Sequence, residues 1–106
     1  MAQSQRVSGV ATSIRTDSDG YTCVRYHQTD VVRFKVWFKG ERIILNTGGW
    51  FTATTKLRMN QAANQFGLGF RVYQKNHEWF VSLRDGRVLQ FTDGIDLAQQ
   101  TSGIFV

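Results

Sequence analysis

The chain has 106 residues, enough for one domain with a core of its own. Thirteen basic against eight acidic residues leave a net charge of +5, which excludes an acidic mimic of DNA. The single cysteine, Cys23, excludes an internal disulfide framework, and no apolar run reaches the roughly 20 residues of a membrane helix. The first residues, MAQSQRVSG, lack the apolar stretch of a signal peptide. The expectation is one soluble domain over residues 1–106, cytoplasmic, with loosely ordered ends at 1–5 and 98–106.

There are ten glycines and no proline, and β-branched and aromatic residues recur in short runs. That pattern predicts short strands joined by tight turns. Residues 7–14 read as a first strand. Residues 15–20, with Asp17, Ser18, Asp19 and Gly20, read as a turn. Residues 21–27 follow as a second strand. Residues 31–39 form the clearest alternation, with Val32, Phe34, Val36 and Phe38 on one face and Arg33, Lys35, Trp37 and Lys39 on the other. Gly40 and Glu41 are expected to turn the chain into a partner strand at 42–46.

Helical spacing occurs once, over residues 54–66. Met59, Ala62, Ala63 and Phe66 make its apolar stripe. Thr52, Thr54 and Thr55 are candidate N-caps and Gly67 a C-terminal stop. Strands are expected at 70–74, 79–83 and 88–91, with Asp85-Gly86 as a hairpin turn. Residues 104–106 are a possible edge strand. The fold class is α+β: a single helix on a curved, mainly antiparallel sheet of about six or seven strands, in the order β-β-β-β-α-β-β-β.

The charge is uneven. Residues 31–75 hold eight cations against Glu41 alone, a distribution that attracts a polyanion. Two patterns in this segment suggest binding. Thr54, Thr55, Lys56 and Arg58 sit at the helix start, where cations are disfavoured by about 0.3–1 kcal/mol. With Gly48 and Gly49 they suggest an anion pocket in which Lys56 and Arg58 face water. The alternative is two solvated cations and a tolerated penalty. The row Arg33, Lys35, Trp37 and Lys39 interleaves cations with an aromatic ring, as single-stranded nucleic acid requires. Tyr73, between Arg71 and Lys75, is a second stacking candidate. The alternative is an ordinary solvated sheet face. Asn60, Gln61, Asn64 and Gln65 read as helix surface.

Catalytic patterns are weak. His27 and His77 lack metal-ligand spacing, and no metal or other cofactor is expected. Cys23 reads as a small buried hydrophobe. The acids fall mostly in turns, and the P-loop spacing is absent. A small ribonuclease using His27 or His77 and a virion structural or adaptor protein remain as alternatives to a non-enzymatic binding protein.

Residues 45–81, LNTGGWFTATTKLRMNQAANQFGLGFRVYQKNHEWFV, resemble a family of short proteins encoded by tailed bacteriophages. The likeness rests on Gly48-Gly49-Trp50, Thr54-Thr55-Lys56, Arg58-Met59-Asn60-Gln61, Gly67-Leu68-Gly69 and Val72-Tyr73-Gln74-Lys75. No activity is established for that family, so no site residue follows from it. The resemblance implies a phage accessory protein acting in the bacterial host cytoplasm. Such proteins commonly bind host machinery, including defence systems such as CRISPR effectors. The expected partner is nucleic acid or a bacterial nucleoprotein complex, with no membrane involved.

Overall fold

A computed structural model describes residues 7–37 and 40–97. Phe38, Lys39, the ends expected to be loose at 1–5 and 98–106, and the edge strand considered at 104–106 lie outside the described residues. The order along the chain is β1 (Thr12–Thr16), β2 (Thr22–Tyr26), β3 (Thr29–Trp37), β4 (Gly40–Leu45), α1 (Ala53–Phe66), β5 (Phe70–Lys75), β6 (Glu78–Leu83), β7 (Val88–Gln90) and β8 (Ile95–Asp96). The α+β class and the β-β-β-β-α-β-β-β order hold, with β8 added after them. The strands form two antiparallel sheets, β1-β2-β3-β4-β8 and β5-β6-β7.

Local chemistry accounts for the elements. The first strand begins at Thr12 rather than residue 7, because Gly9 and Ala11 both have positive φ. Gly9 is required there: a Cβ at this position would overlap the Arg58 guanidinium. The turn after β1 is organised by Asp17, whose Oδ1 accepts the N–H groups of Asp19 and Tyr21 at 2.9 and 3.0 Å. In β2–β3, Val24 pairs with Val32 but Arg25 pairs with Asp30. Val31 is therefore the extra residue of a β-bulge, and Val31 and Val32 are both buried. Strict alternation from Arg33 sets Val31 on the outer face; the bulge turns it inward. Trp37 pairs with Gly40, so β4 starts two residues earlier than expected. Val36, expected to face inward, and its partner Glu41 are both exposed; the hairpin tip runs beyond the core.

Helix α1 starts at the Thr52 N-cap, whose hydroxyl accepts the Thr55 N–H, and ends at Gly67 in the left-handed conformation. Met59, Ala62 and Ala63 are buried, as the stripe predicts. Two alanines let the helix lie close to β2, β3 and β5, all of which it contacts. The inner faces of both sheets join its stripe in one core cluster that includes Val24, Phe34, Leu45, Val72, Trp79 and Val81. Phe51 crosses Trp79 edge-on at 5.0 Å and Phe91 at 6.2 Å. Asp93 ties the distant loop down, accepting from the Thr47 N–H at 2.7 Å and its hydroxyl at 2.8 Å.

The amides expected on the helix surface do structural work instead. Asn60 Nδ2 donates to the Val72 carbonyl at 2.9 Å, and Asn60 Oδ1 accepts the Val72 N–H at 2.8 Å. A side chain thus takes the place of a neighbouring strand on the β5 edge. Gln61 is buried and accepts from Arg58. Gln65 accepts the Val7 N–H at 2.8 Å. Asn64 alone of the four is exposed. Asn60→Ala leaves both Val72 groups unpaired and is expected to lower stability by about 2–3 kcal/mol in urea unfolding. A loss below about 0.5 kcal/mol, the scale of an ordinary surface substitution, would show that water replaces the amide freely.

Candidate nucleic-acid interface

The outer face of the five-stranded sheet carries Arg33 and Lys35 side by side with Arg15 and Arg42. Four acids of the chain, Asp17, Asp19, Asp30 and Asp96, fold onto them. Arg15 meets Asp30 in a bidentate pair at 2.6 and 2.9 Å. Arg33 donates to Asp17 at 3.0 Å, lies 3.9 Å from Asp19, and stacks 4.0 Å above the Tyr21 ring. Lys35 donates to the Asp19 carbonyl at 2.9 Å. Arg42 meets Asp96 at 2.7 Å. In the positive row read from residues 33–39, Arg33 is therefore met by the protein's own carboxylates and Lys35 by a backbone carbonyl. The Trp37 side chain and Lys39 lie outside what is described.

These pairs shift the carboxylates. The Arg15 hydrogen bonds hold Asp30 below the usual 3.8, against an opposing effect of burial. Burial pushes Asp17 up, but the Tyr21 N–H, Arg33 and the Asp19 N–H together outweigh it and leave it below 3.8. Cys23 is buried beneath this network, 3.7 Å from Asp17 Oδ2. Burial first, and then the Asp30 charge, push its thiol up. It is a protonated, enclosed group, consistent with its reading as a small hydrophobe.

The helix start does not assemble the expected pocket. Its first turn holds no acid, but several of the donors that would line that pocket are already used. The Thr55 N–H goes to the Thr52 hydroxyl and the Lys56 N–H to the Thr52 carbonyl. The Gly48 and Gly49 N–H groups go to Asn46 and Thr47. Thr55 is fully buried and Thr54 half-buried. Arg58, expected in water, is buried. It donates to Thr12 Oγ1 at 2.9 Å and Gln61 Oε1 at 3.3 Å, with its guanidinium 5.6 Å from the Tyr26 ring. The reason is helix geometry: residues two apart project about 200° apart. Lys56 consequently turns to the other side, donating to Gln74 at 3.0 Å and lying 5.2 Å from the Trp79 ring.

The face that remains open is on the small sheet. Phe70 and Val72 of β5 and Trp79 and Val81 of β6 point into the core. Alternation therefore places Arg71, Tyr73 and Lys75 outward. The β5–β6 register sets Tyr73 opposite Phe80 and Arg71 opposite Ser82. The Tyr73 and Phe80 rings stack at 5.7 Å with planes 29° apart. Val88 of β7 continues the same face and is exposed. Arg71 and Lys75 are exposed, and among the described residues neither makes an ion pair. Glu78, opposite Lys75, accepts instead from Gln90 at 3.0 Å.

Phe80 escaped the sequence reading. Its position opposite Tyr73 depends on the two-residue turn Asn76-His77, both with positive φ. Asn-His carries none of the glycine that marks such a turn, so the register was not legible. Alternation within residues 78–83 is the one signal that sets Phe80 apart from Trp79 and Val81. Trp50 and Phe51, both exposed, also passed unassigned.

The histidines line separate clefts, His27 with Tyr26 and Trp50, and His77 with Lys56 and Tyr73. No pair of imidazoles faces one bond there. Among the described residues no group of three His, Cys, Asp or Glu side chains gathers around a metal-sized space. No helix among them is long and apolar enough to cross a membrane.

Comparison with known proteins agrees with the phage resemblance. This is a bacteriophage protein by descent. The chain belongs to the Kyanoviridae Gp96 protein family, whose model matches residues 1–98. No curated protein and no solved structure matches it.

Two outcomes test this geometry. Arg58→Glu buries a carboxylate beside Gln61 and is expected to cost about 2–4 kcal/mol. Lys56→Glu, half-exposed, is expected to cost under about 1 kcal/mol in the same urea titration. Equal losses would mean that Arg58 is not buried. Asp17 and Asp30 have lowered folded-state pKa values, so their contribution is present above 3.8 and is lost as pH falls below it. The denaturation midpoint is expected to drop on acidification through that range, and less steeply in Asp17→Asn and Asp30→Asn. Parallel profiles for all three proteins would remove these ion pairs as the source.

Proposed function

We propose that this chain is a non-enzymatic, single-strand nucleic-acid-binding protein of the phage, and that the outer face of β5-β6-β7 is the binding surface. One observation carries this reading: two stacked aromatic rings, Tyr73 and Phe80, lie on a sheet face with Arg71 and Lys75, two exposed cations that make no ion pair among the described residues, while Glu78 opposite Lys75 accepts from Gln90. Rings on an open sheet stack on bases, and cations beside them track the phosphates. Stacking accepts every base, so the expected preference is for single strands rather than for a sequence. Family membership supplies the setting, an infected bacterium. Binding exposed strands of a host nucleoprotein, a defence complex included, is how such a surface would modulate host machinery.

Fluorescence anisotropy with labelled single-stranded DNA and RNA at low ionic strength tests this. Wild type is expected to bind both, and duplex more weakly. Tyr73→Ala and Phe80→Ala are each expected to weaken binding by about tenfold, within the roughly 1–3 kcal/mol that one base–ring stack supplies. Arg33→Gln, whose charge is held by Asp17, is expected to leave affinity unchanged. If Tyr73→Ala binds like wild type while melting at the same temperature, the surface is elsewhere.

A further inference from the structure

Beside the small sheet, α1 and the β5–β6 turn enclose a groove whose walls include Lys56, Asn60, Tyr73, Gln74, Asn76 and His77. Tyr73 belongs both to this groove and to the stacked pair on the sheet face. The groove therefore begins where the aromatic platform ends. Its lining contains a cation, an imidazole and amides, and no carboxylate.

Asn60 gives one amide N–H and its Oδ1 to the Val72 peptide. Lys56 gives one N–H to Gln74, and an ammonium carries three. Two are left to donate into the groove. Packing over Trp79 holds the ammonium near the groove wall. At the helix start the Thr55 and Lys56 N–H groups are taken by Thr52, and the groove is lined by side chains from a helix, a strand and a turn.

We propose that this groove holds the phosphodiester next to the base stacked on Tyr73, with Lys56 as its charge partner and His77 and Asn76 on the opposite wall. This rests on the sheet-face reading above and adds a direction to it: the strand leaves the Tyr73–Phe80 platform toward α1, not along β7. A nucleic-acid backbone fits because it presents an anion at a fixed place beside each base.

The salt dependence of binding reads this contact separately from stacking. For single strands the slope of log K against log salt is about 0.7 per phosphate neutralised. Labelled single-stranded DNA is titrated with wild type, Lys56→Met, Lys56→Arg, His77→Gly and Tyr73→Ala. Lys56→Met keeps the apolar cover on Trp79 and is expected to weaken binding severalfold at low salt and to reduce the slope by about 0.7. Lys56→Arg is expected to keep the wild-type slope. His77→Gly suits the φ of +69° at that position, so it is expected to weaken binding with no loss of melting temperature. Tyr73→Ala is expected to weaken binding at every salt concentration with the slope unchanged. If Lys56→Met and His77→Gly match wild type in affinity and slope while Tyr73→Ala is weakened, the groove is empty and the sheet-face reading stands alone. If Tyr73→Ala has no effect, or wild type binds no single strand, both readings fall.

Discussion

The structure depends on one side chain standing in for a strand. Asn60, in the middle of α1, satisfies both the N–H and the C=O of Val72 on the edge of β5. A three-stranded sheet has two edges and little core, and such small sheets are marginal unless packed against a helix. The Asn60 bonds seal one edge and fix the sheet against the helix. Its inner residues then join the core that α1 shares with β2 and β3. The other face of the small sheet is turned outward as a consequence, carrying Tyr73, Phe80, Arg71 and Lys75. The surface proposed to bind nucleic acid is thus the reverse of the packing that holds the molecule together.

Charge is divided between the two sheets in a way that linear counting conceals. The cations of residues 31–75 look unopposed along the chain. In the fold, Asp17, Asp19 and Asp30 arrive from the β1–β2 turn and the start of β3, and Asp96 from β8. All of them land on the large sheet. They organise the turn at Asp17, cover Cys23 and hold Arg15, Arg33 and Arg42 in place. On the outer face of the small sheet Glu78, opposite Lys75, is engaged with Gln90, and among the described residues Arg71 and Lys75 make no ion pair.

Aromatic residues follow the same division. Phe51 packs edge-on against Trp79 and Phe91, which meet each other at a tilt, and the three rings cover the core. Tyr73 and Phe80, one register position away from Trp79, stack nearly parallel on the opposite side of the sheet. Alternation along a single strand, β6, therefore separates a ring that stabilises the protein from a ring available to a ligand.

Much of the architecture was legible in the sequence because it follows from local rules. The helix, its Thr52 cap, its Gly67 stop and the stripe of Met59, Ala62 and Ala63 come from spacing and capping chemistry. The strands, their antiparallel order and the α+β class come from alternation and glycine-marked turns. Tertiary structure alone decided the rest, because those features depend on contacts between distant segments. A bulge turned Val31 inward with Val32, helix geometry carried Arg58 away from Lys56 into a bed of Thr12 and Gln61, and an unmarked Asn-His turn set Phe80 against Tyr73. Composition determined that this protein is basic. Only the folding of remote carboxylates onto one sheet decided which of its described cations are held in ion pairs.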